Sequence, residues 1–326
     1  MRTIAIEEHF TTPAFVEGPG KAATESMLKS GPPGAKLIAA LADIGNARVA
    51  AMDAAGLDMQ VLSLNSPGVE QSEVADSIAL ARDANDMLAE AVRKHPKRFA
   101  GMAALPVGRP DKAAEELERC VRQLGFKGAN INGHNRGRYL DDPFYAPVLA
   151  RAEALGVPIY LHPTLPPPAV MQASYSGFNP AATFIIAGPG WGWHIETGMH
   201  IMRMIFGGVF DRFPKLQIVI GHMGEALPFM LPRIEAVGAR LPPGAGPKRP
   251  LADYLRENLH YTFGGFNFAS TFQVLLSTVG AERIMFSIDY PYGSMAEARA
   301  FLDTLPVSDA EREAIAHGNA EKLLGV

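Results

Sequence analysis

The segment that decides the fold class is Val157-Pro158-Ile159-Tyr160-Leu161, a continuous apolar run that His162 follows directly. The segment Gln217-Ile218-Val219-Ile220-Gly221, followed by His222, has the same character. Neither segment shows the alternation of polar and apolar residues that is typical of a strand with one face in water. Both therefore predict central strands of a parallel sheet that is covered on its two faces.

Short β-rich runs recur eight times along the chain, and helical patterns fill the intervals between them. The runs lie near residues 3–9, 58–65, 99–105, 126–132, 157–162, 216–222, 258–264 and 283–289. The clearest helical patterns cover residues 75–94, 111–124 and 143–155, and helix ends are marked by Gly56, Gly125 and Gly156. This alternation implies parallel strands with helices outside, so we expect an α/β fold of the (β/α)8 TIM-barrel type.

We expect residues 1–326 to form one barrel domain, because no low-complexity linker divides the chain. Two connections are longer than a barrel requires, namely the loops at residues 11–34 after the first strand and 163–194 after the fifth. Loops of this length are usually functional. The second loop is compatible with a lid or substrate wall, and equally with a subunit contact made by Trp191 and Trp193.

The composition excludes several classes of partner. The formal net charge of −4 argues against nucleic-acid binding, which requires a concentrated basic face. The single cysteine, Cys120, is interpreted as a buried apolar residue of a helix rather than as a nucleophile. Glu7 and Glu8 interrupt the first apolar run, and no run approaches the about 18 apolar residues of a membrane helix. We therefore expect a cytoplasmic protein that acts on a small molecule.

Ionisable side chains lie at the ends of four predicted strands. Alternation along the first strand directs Glu7 and His9 to the same side, and three further runs end at His162, His222 and Asp289. Because the C-terminal ends of barrel strands open on one face, these five side chains are expected to meet there. Two imidazoles and two carboxylates suit one Zn²⁺ or Mn²⁺ ion. The fourth strand offers no lysine at its end that could bridge to a second metal.

His222 and Glu225 lie one helical turn apart, at the point where a strand is followed by a helix. The carboxylate can orient the imidazole and hold its proton, as a catalytic base and its partner require. Asp289 can serve both as a metal ligand and as a proton carrier, because a carboxylate needs only one oxygen to hold a metal.

Three further residues are candidates for substrate contact. Arg48 and Arg233 are candidate anchors for a substrate carboxylate, although exposed helix arginines are the slightly favoured interpretation of both. Asn132, at the end of the fourth strand, is the third candidate.

Six segments, spread over nearly the whole chain, share a pattern with one enzyme family. They are Ile6-Glu7-Glu8-His9-Phe10, Met52-Asp53-Ala54-Ala55-Gly56-Leu57, Gly137-Arg138-Tyr139-Leu140-Asp141, Tyr160-Leu161-His162-Pro163, Ile220-Gly221-His222-Met223-Gly224-Glu225 and Ser287-Ile288-Asp289-Tyr290-Pro291. They resemble the amidohydrolase superfamily and, within it, the metal-dependent nonoxidative aromatic acid decarboxylases. The Glu-x-His opening, where many amidohydrolases carry His-x-His, points to this branch.

This resemblance implies a single-metal centre with the ligands Glu7, His9, His162 and Asp289, beside the catalytic residues His222 and Glu225. It implies that the metal chelates the carboxylate and ortho hydroxyl of a small aromatic acid, while Asp289 protonates the ring carbon that bears the carboxylate. Carbon dioxide then leaves as aromaticity returns, and the reverse reaction carboxylates the phenol. The family also implies a homodimer or homotetramer, which the apolar residues of the 163–194 loop favour.

Two alternatives remain open. The same residues would support hydrolysis of a lactone, amide or ester, in which the metal activates a bound water and His222 takes its proton. A non-catalytic metal-stabilised binding protein is the other alternative, and open ligand positions beside acid–base groups argue against it.

Overall fold

The centre of the molecule is a ring of parallel strands, and every strand residue is buried. The computed structural model describes residues 1–326. The strands are β1 (Ile4–Phe10), β2 (Met59–Leu64), β3 (Phe99–Gly101), β4 (Ala103–Ala104), β5 (Ala129–Asn132), β6 (Ile159–His162), β7 (Ile218–Ile220), β8 (Leu259–Thr262) and β9 (Ile284–Met285). Only Met102 separates β3 from β4, so the nine segments occupy the eight predicted strand positions.

All pairs are parallel, in the order β1-β2-β3 and β4-β5-β6-β7-β8-β9. The last strand position lies beside the first. The Ile6 amide donates to the Phe286 carbonyl at 3.2 Å, and the His9 amide donates to the Tyr290 carbonyl at 2.7 Å. The fold is therefore the (β/α)8 barrel that the alternation predicts.

Helices fill the intervals between the strands. They are α1 (Pro13–Glu17), α2 (Lys21–Leu28), α3 (Pro32–Ala42), α4 (Asn46–Ala54), α5 (Val74–Lys94), α6 (Pro110–Leu124), α7 (Ala146–Leu155), α8 (Pro168–Ser174), α9 (Pro180–Ala187), α10 (Gly192–Phe206), α11 (Val209–Arg212), α12 (Leu227–Gly238), α13 (Leu251–Glu257), α14 (Ala269–Val279), α15 (Met295–Asp303), α16 (Asp309–Glu313) and α17 (Asn319–Leu324). Short 3₁₀ turns lie at Pro143–Tyr145, His222–Gly224 and Ala281–Arg283, and a π-helical turn lies at Ala314–Gly318. No helix combines the length and the hydropathy that a membrane crossing requires.

The ends of α6 follow directly from its sequence. Pro110 stands in the first turn, where its missing amide costs no hydrogen bond, and Asp111 complements the positive end of the helix dipole. Gly125 ends the helix in the left-handed conformation, with φ of 75°. Cys120 lies on the buried face of this helix, where burial raises the pKa of its thiol well above the usual range, and this confirms its interpretation as a core residue.

The two long connections begin where the sequence predicts, but they are largely helical. The first contains α1, α2 and the start of α3, and the second contains α8 and α9. Local capping helps to explain α1 and α9, because Thr12 accepts from the Phe15 amide at 3.1 Å and Asn179 accepts from the Ala181 amide at 2.9 Å. Helices of about one to three turns show too few apolar repeats for periodicity to reveal them.

Apolar side chains fill the barrel interior at the N-terminal ends of the strands. This cluster includes Ile4, Ile6, Met59, Val61 and Met285, with Leu324 of α17 packed below them. A larger cluster fills the layer between the strands and the surrounding helices.

Candidate metal centre

A β-bulge in β1 directs the side chains of Glu7 and His9 into the barrel. Ala5 pairs with Gln60 and Glu8 with Leu62, so Ile6 and Glu7 together face the single residue Val61. Beyond the bulge, His9 lies opposite Ser63. Unbroken alternation from Ile4 would instead direct position 8 inward.

Glu8 points away from the interior and joins the first strand to the last. Its carboxylate accepts hydrogen bonds from the amides of Ile288 at 2.9 Å and Tyr290 at 3.2 Å. Burial raises the pKa of Glu8 well above its usual value, and these amides together with Arg48 oppose that effect. Glu8 therefore stabilises the barrel seam and does not face the candidate metal centre.

The four predicted ligands converge at the C-terminal end of the barrel. His9 Nε2 lies 3.0 Å from Asp289 Oδ1, and His162 Nε2 lies 4.0 Å from Glu7 Oε1. The rings of His9 and His162 meet edge to face, with centroids 4.7 Å apart. Glu7 Oε1 is buried without a hydrogen-bond partner, and His9 Nε2, although close to Asp289 Oδ1, is not aligned for a hydrogen bond with it. Such buried polar atoms are rare unless another group binds them. This donor set fits one divalent cation.

Hydrogen bonds hold the remaining atoms of these ligands. His162 Nδ1 donates to the Pro163 carbonyl at 2.9 Å, so its Nε2 carries the lone pair that faces the centre. His9 Nδ1 lies 3.4 Å from Ser63 Oγ, and Thr262 donates to Glu7 Oε2 at 2.6 Å. Such partners orient metal ligands and tune their basicity.

Two glycines make room for the Glu7 carboxylate. A Cβ atom added at Gly221 would lie 2.4 Å from Glu7 Oε1, and one added at Gly264 would lie 2.7 Å from Glu7 Oε2. Neither glycine has a positive φ. Close approach, rather than backbone conformation, therefore explains glycine at both positions.

Backbone strain is concentrated at the same end of the barrel. Of six non-glycine residues with positive φ, five belong to the two segments that carry the predicted catalytic residues. These five are His222, Met223, Glu225, Ala226 and Asp289. Residues in this conformation cost free energy and cluster at functional sites, where the surrounding structure imposes the geometry.

Three ionisable side chains form a hydrogen-bonded chain beside the ligands. Glu225 Oε1 lies 2.8 Å from His222 Nδ1, as the spacing of these residues predicts, and Glu225 Oε2 lies 2.6 Å from His194 Nδ1. His222 Nε2 faces the ligand set, 3.5 Å from Glu7 Oε1 and 3.9 Å from Asp289 Oδ2. The sequence interpretation missed His194. The only signal for this residue in the sequence is that an ionisable side chain follows the two tryptophans of the second long connection.

The pKa shifts separate the roles of these groups in the metal-free chain. Burial raises the pKa of Glu7 and lowers the pKa of His162 well below its usual value. Burial alone would lower the pKa of His222, but the carboxylates of Glu7 and Glu225 raise it well above its usual value. Burial would raise the pKa of Asp289, yet hydrogen bonding from His222 helps to hold it below its usual range. These opposite shifts favour the protonated form of His222 and the ionised form of Asp289.

The two candidate arginines lie in different environments. Arg48, in α4, is only 1% exposed, so its interpretation as an exposed helix arginine is wrong. Its Nη2 donates to the carbonyls of His9 at 2.6 Å and Ala40 at 3.0 Å, and its guanidinium stacks over the ring of Tyr290. Arg233 is exposed on α12, as its alternative interpretation predicts.

Asn132 lies at the end of β5, in register with His162 of the neighbouring strand. The backbone amide of Asn132 donates to Glu70 Oε1 at 2.8 Å, and the side-chain Oδ1 has no hydrogen-bond partner. Burial raises the pKa of Glu70 to about 7. The sequence interpretation missed this carboxyl group, because it lies in the connection after β2 rather than at a strand end.

Aromatic side chains surround the ligands. The ring of Trp193 lies 6.5 Å from that of His162, and Phe266 lies 5.5 Å from His222. Tyr292 lies 5.9 Å from His9, and its hydroxyl donates to Asn65 at 2.9 Å. The two tryptophans of the second long connection thus differ, since Trp193 faces the ligands whereas Trp191 is 55% exposed.

Comparison with known proteins identifies the family. A family model described as amidohydrolase matches residues 39–326. Gamma-resorcylate decarboxylase of Rhizobium sp. is 38% identical over 329 residues, which cover 98% of this chain and 97% of that protein. The structure of 2,6-dihydroxybenzoate decarboxylase complexed with 2,6-dihydroxybenzoate has a TM-score of 0.89 at 38% identity and covers 100% of both chains.

A further solved structure contains a metal. It is 5-carboxyvanillate decarboxylase from Novosphingobium aromaticivorans, complexed with manganese and 4-hydroxy-3-methoxy-5-nitrobenzoic acid. Its TM-score is 0.90 at 32% identity, with 100% of this chain and 96% of that chain covered. These matches confirm the resemblance of the strand endings, and the chain belongs to the amidohydrolase family.

Proposed function

We propose that this chain is a metal-dependent nonoxidative decarboxylase of an aromatic acid with a hydroxyl group ortho to its carboxylate. The observation that carries the proposal is the position of Asp289. One oxygen of this carboxylate faces His9 at 3.0 Å, and the other faces His222 at 3.9 Å. Asp289 therefore joins the ligand set to the group that carries a proton. The relatives, which are named as decarboxylases of hydroxylated aromatic acids, support the same reaction class.

The proposed ligands for one Zn²⁺ or Mn²⁺ ion are Glu7, His9, His162 and Asp289. The two unpartnered buried donor atoms support this assignment, as does the manganese named for one relative. When bound, the cation would supply Lewis acidity toward the carboxylate and phenolate of the substrate and would favour the deprotonated form of each ligand.

The residues of this chain supply the proton. His222 Nε2 lies 3.9 Å from Asp289 Oδ2, so we propose that it passes a proton to that carboxylate. Asp289 then donates the proton to the ring carbon that bears the carboxylate. The bond from this carbon to the carboxylate breaks, its electron pair restores aromaticity, and carbon dioxide leaves. Glu225 holds His222 Nδ1 throughout, so that Nε2 keeps its direction.

Substrate contacts are assigned by the same geometry. We propose that Asn132, whose side-chain oxygen is free, contacts the substrate. Arg233 stays a proposed carboxylate anchor on its residue type alone, because its guanidinium is exposed on α12 and forms no salt bridge. Arg48 Nη2 is occupied by the carbonyls of His9 in β1 and Ala40 in α3, so we propose that this side chain supports the site from behind, although its Nε and Nη1 are buried without partners.

The test is a substrate screen with metal-replete enzyme. The acids are 2,6-dihydroxybenzoate, 2,3-dihydroxybenzoate, salicylate and 5-carboxyvanillate, beside a panel of lactones, amides and esters. We expect release of carbon dioxide from at least one acid and, with excess bicarbonate, carboxylation of the matching phenol. Chelator-treated protein and Asp289→Asn, with its metal content measured, are the controls, and both should lack turnover.

Turnover of a lactone, amide or ester without decarboxylation of any acid would assign the chain as a hydrolase. Retained decarboxylation by a metal-loaded Asp289→Asn variant would show instead that another group protonates the ring. The two results are separable, because the first concerns the reaction and the second concerns only the proton donor.

We also propose that residues 1–326 act as one domain and that the chain assembles as a homodimer or homotetramer. Large apolar side chains of the second long connection are exposed, among them Phe178 at 54%, Phe184 at 51% and Ile185 at 54%. Exposed apolar patches of this kind usually mark protein interfaces. Light scattering should give a mass of two or four times 35.0 kDa, and a mass near 35.0 kDa would contradict the proposal.

A further inference from the structure

Both ring nitrogens of His194 face oxygen acceptors. Nε2 lies 2.9 Å from the Pro189 carbonyl, and Nδ1 lies 2.6 Å from Glu225 Oε2. A carbonyl oxygen can only accept, so Nε2 carries a hydrogen. The hydrogen bond at Nδ1 then requires either a second ring proton or a protonated Glu225.

The surroundings of Glu225 favour the second ring proton. The carboxylate is buried, and its other oxygen accepts from His222 Nδ1 at 2.8 Å. An ionised carboxylate accepts from both histidines at once, whereas a protonated carboxyl group would have to donate its own proton to a bare His194 Nδ1 while accepting from His222. Burial would raise the pKa of Glu225, but the two histidines lower it below its usual value, which agrees with an ionised group.

Few other groups face the His194 ring. The ring of His222 lies 4.8 Å away and that of Phe266 lies 4.9 Å away, each at a steep angle. His222 in turn faces the carboxylates of Glu7 and Asp289 and the ring of His162. The His194 ring is thus paired with one buried carboxylate, and none of these contacts is to a proposed metal ligand.

We propose that His194 is a positioning residue, a buried imidazolium held between the Pro189 carbonyl and Glu225 that fixes the carboxylate against which His222 is oriented. Its ring occupies one oxygen of Glu225 and leaves the other for His222. His194 also connects the second long connection, through Pro189, to the proton-handling pair. Such pairing strengthens hydrogen bonds, because both partners are charged and shielded from water.

A spectroscopic test measures the proposed charge directly. Zinc-loaded protein, which is diamagnetic, is labelled with ¹⁵N-histidine and compared at neutral pH with His194→Asn. We expect one ring in the wild type with both nitrogens protonated that is missing from the variant. A His194 ring with one bare nitrogen would overturn the proposal. This measurement needs no substrate, so it stands even if the proposed decarboxylation fails.

A kinetic test, which rests on the proposed function, measures positioning. His194→Phe keeps a ring but removes both donors, and we expect kcat to fall about 10- to 100-fold, as is typical when partners of active-site groups are removed. KM should change little, because His194 touches no proposed substrate contact. In His194→Asn the amide can still donate to Glu225, so this variant should recover part of the loss.

The control is His200→Asn, on the same helix. His200 is also buried, and its Nε2 accepts from the Leu140 amide at 2.8 Å, a role that an asparagine oxygen can take over. We expect wild-type kcat for this variant. Folded His194→Phe with unchanged kcat would overturn the proposal, and if that variant fails to fold, the spectroscopic test and His194→Asn decide.

Metal counting provides the last arm of the test. His194, His222 and Glu225 are close enough together to be a candidate metal group. The direct hydrogen bonds of 2.6 Å and 2.8 Å to Glu225 argue for protons instead. Two equivalents of zinc in the wild type and one in His194→Phe would assign a second metal site and overturn the imidazolium. One equivalent in both proteins supports it.

Discussion

Gly221→Ala should separate metal binding from folding. The added Cβ would lie 2.4 Å from Glu7 Oε1 and 2.8 Å from the Tyr160 hydroxyl. The backbone at Gly221 has φ of −82° and ψ of −168°, a conformation that alanine adopts readily. The perturbation therefore acts on the Glu7 carboxylate, at the far end of a side chain, and leaves the backbone unstrained.

The expected magnitude follows from the distances. To restore a contact of 3.0 Å, the carboxylate oxygen or the new methyl group must shift by the missing 0.6 Å. Ligand distances at a metal are held to within about 0.2 Å, so a shift of this size breaks or weakens the bond from Glu7. Thr262 still holds the other oxygen at 2.6 Å, which limits how far the carboxylate can swing to compensate. We expect metal affinity to fall about 10- to 100-fold.

The assay is a titration of metal-free protein with Zn²⁺ against a competing chelator, together with thermal unfolding without metal. The unfolding temperature of the metal-free protein should change little, whereas the dissociation constant for Zn²⁺ should rise. Gly238→Ala is the matched control, because nothing lies within 4 Å of its added Cβ. A folded Gly221→Ala variant that binds zinc as tightly as the wild type would refute the assignment of Glu7 as a ligand.

Three further outcomes are expected. His9→Ala and His162→Ala should each lose metal and turnover together, which elemental analysis of the folded variants checks. His222→Ala should keep its metal but lose about 10²- to 10⁴-fold in kcat, the usual contribution of an acid–base group, and loss of the metal would make His222 a ligand. Burial raises the pKa of Glu70 from 4.5 to about 7, so its contribution to the free energy of unfolding is full below pH 4.5 and is lost as pH rises through about 7. Glu70→Gln should abolish this loss of about 3 kcal/mol, which urea unfolding at both ends of that pH range measures. The prediction is contradicted if wild type and variant differ in free energy of unfolding by the same amount at both pH values.

The strands and the convergence of their ends could be predicted from sequence because both follow from simple periodicities. Continuous apolar runs such as residues 157–161 occur where both faces of a strand are covered, and parallel strands bring their C-terminal residues to one face. This topology was sufficient to bring residues as distant as Glu7 and Asp289 together. It required no knowledge of side-chain packing.

The direction of β1 was predicted correctly for Glu7 and His9, but the reason lies in an irregularity that the pattern conceals. Alternation counted from Ile4 would have directed Glu8 inward, and only the bulge opposite Val61 reverses this. A bulge depends on pairing with the neighbouring strand. A single sequence does not contain that information.

Contacts within connections were the least predictable part of the site. His194 and Glu70 lie outside the strand ends, and each acquires its partners only through tertiary packing. Arg48 was misjudged for a related reason, because its side chain reaches the His9 carbonyl of β1 and is buried there, although helical position alone suggests that it is exposed.

Because the first and last strands meet at the barrel seam, the metal centre can form only after the last strand has been synthesised. Glu8 bonds to the amide of Ile288, 280 residues away, and Glu7 and His9 meet Asp289 across the same junction. A nascent chain that has not yet reached residue 289 has three of the four proposed ligands but no closed barrel to hold them. Metal capture is therefore expected to be one of the last events in the maturation of each polypeptide, and metal content should distinguish full-length molecules from prematurely terminated ones.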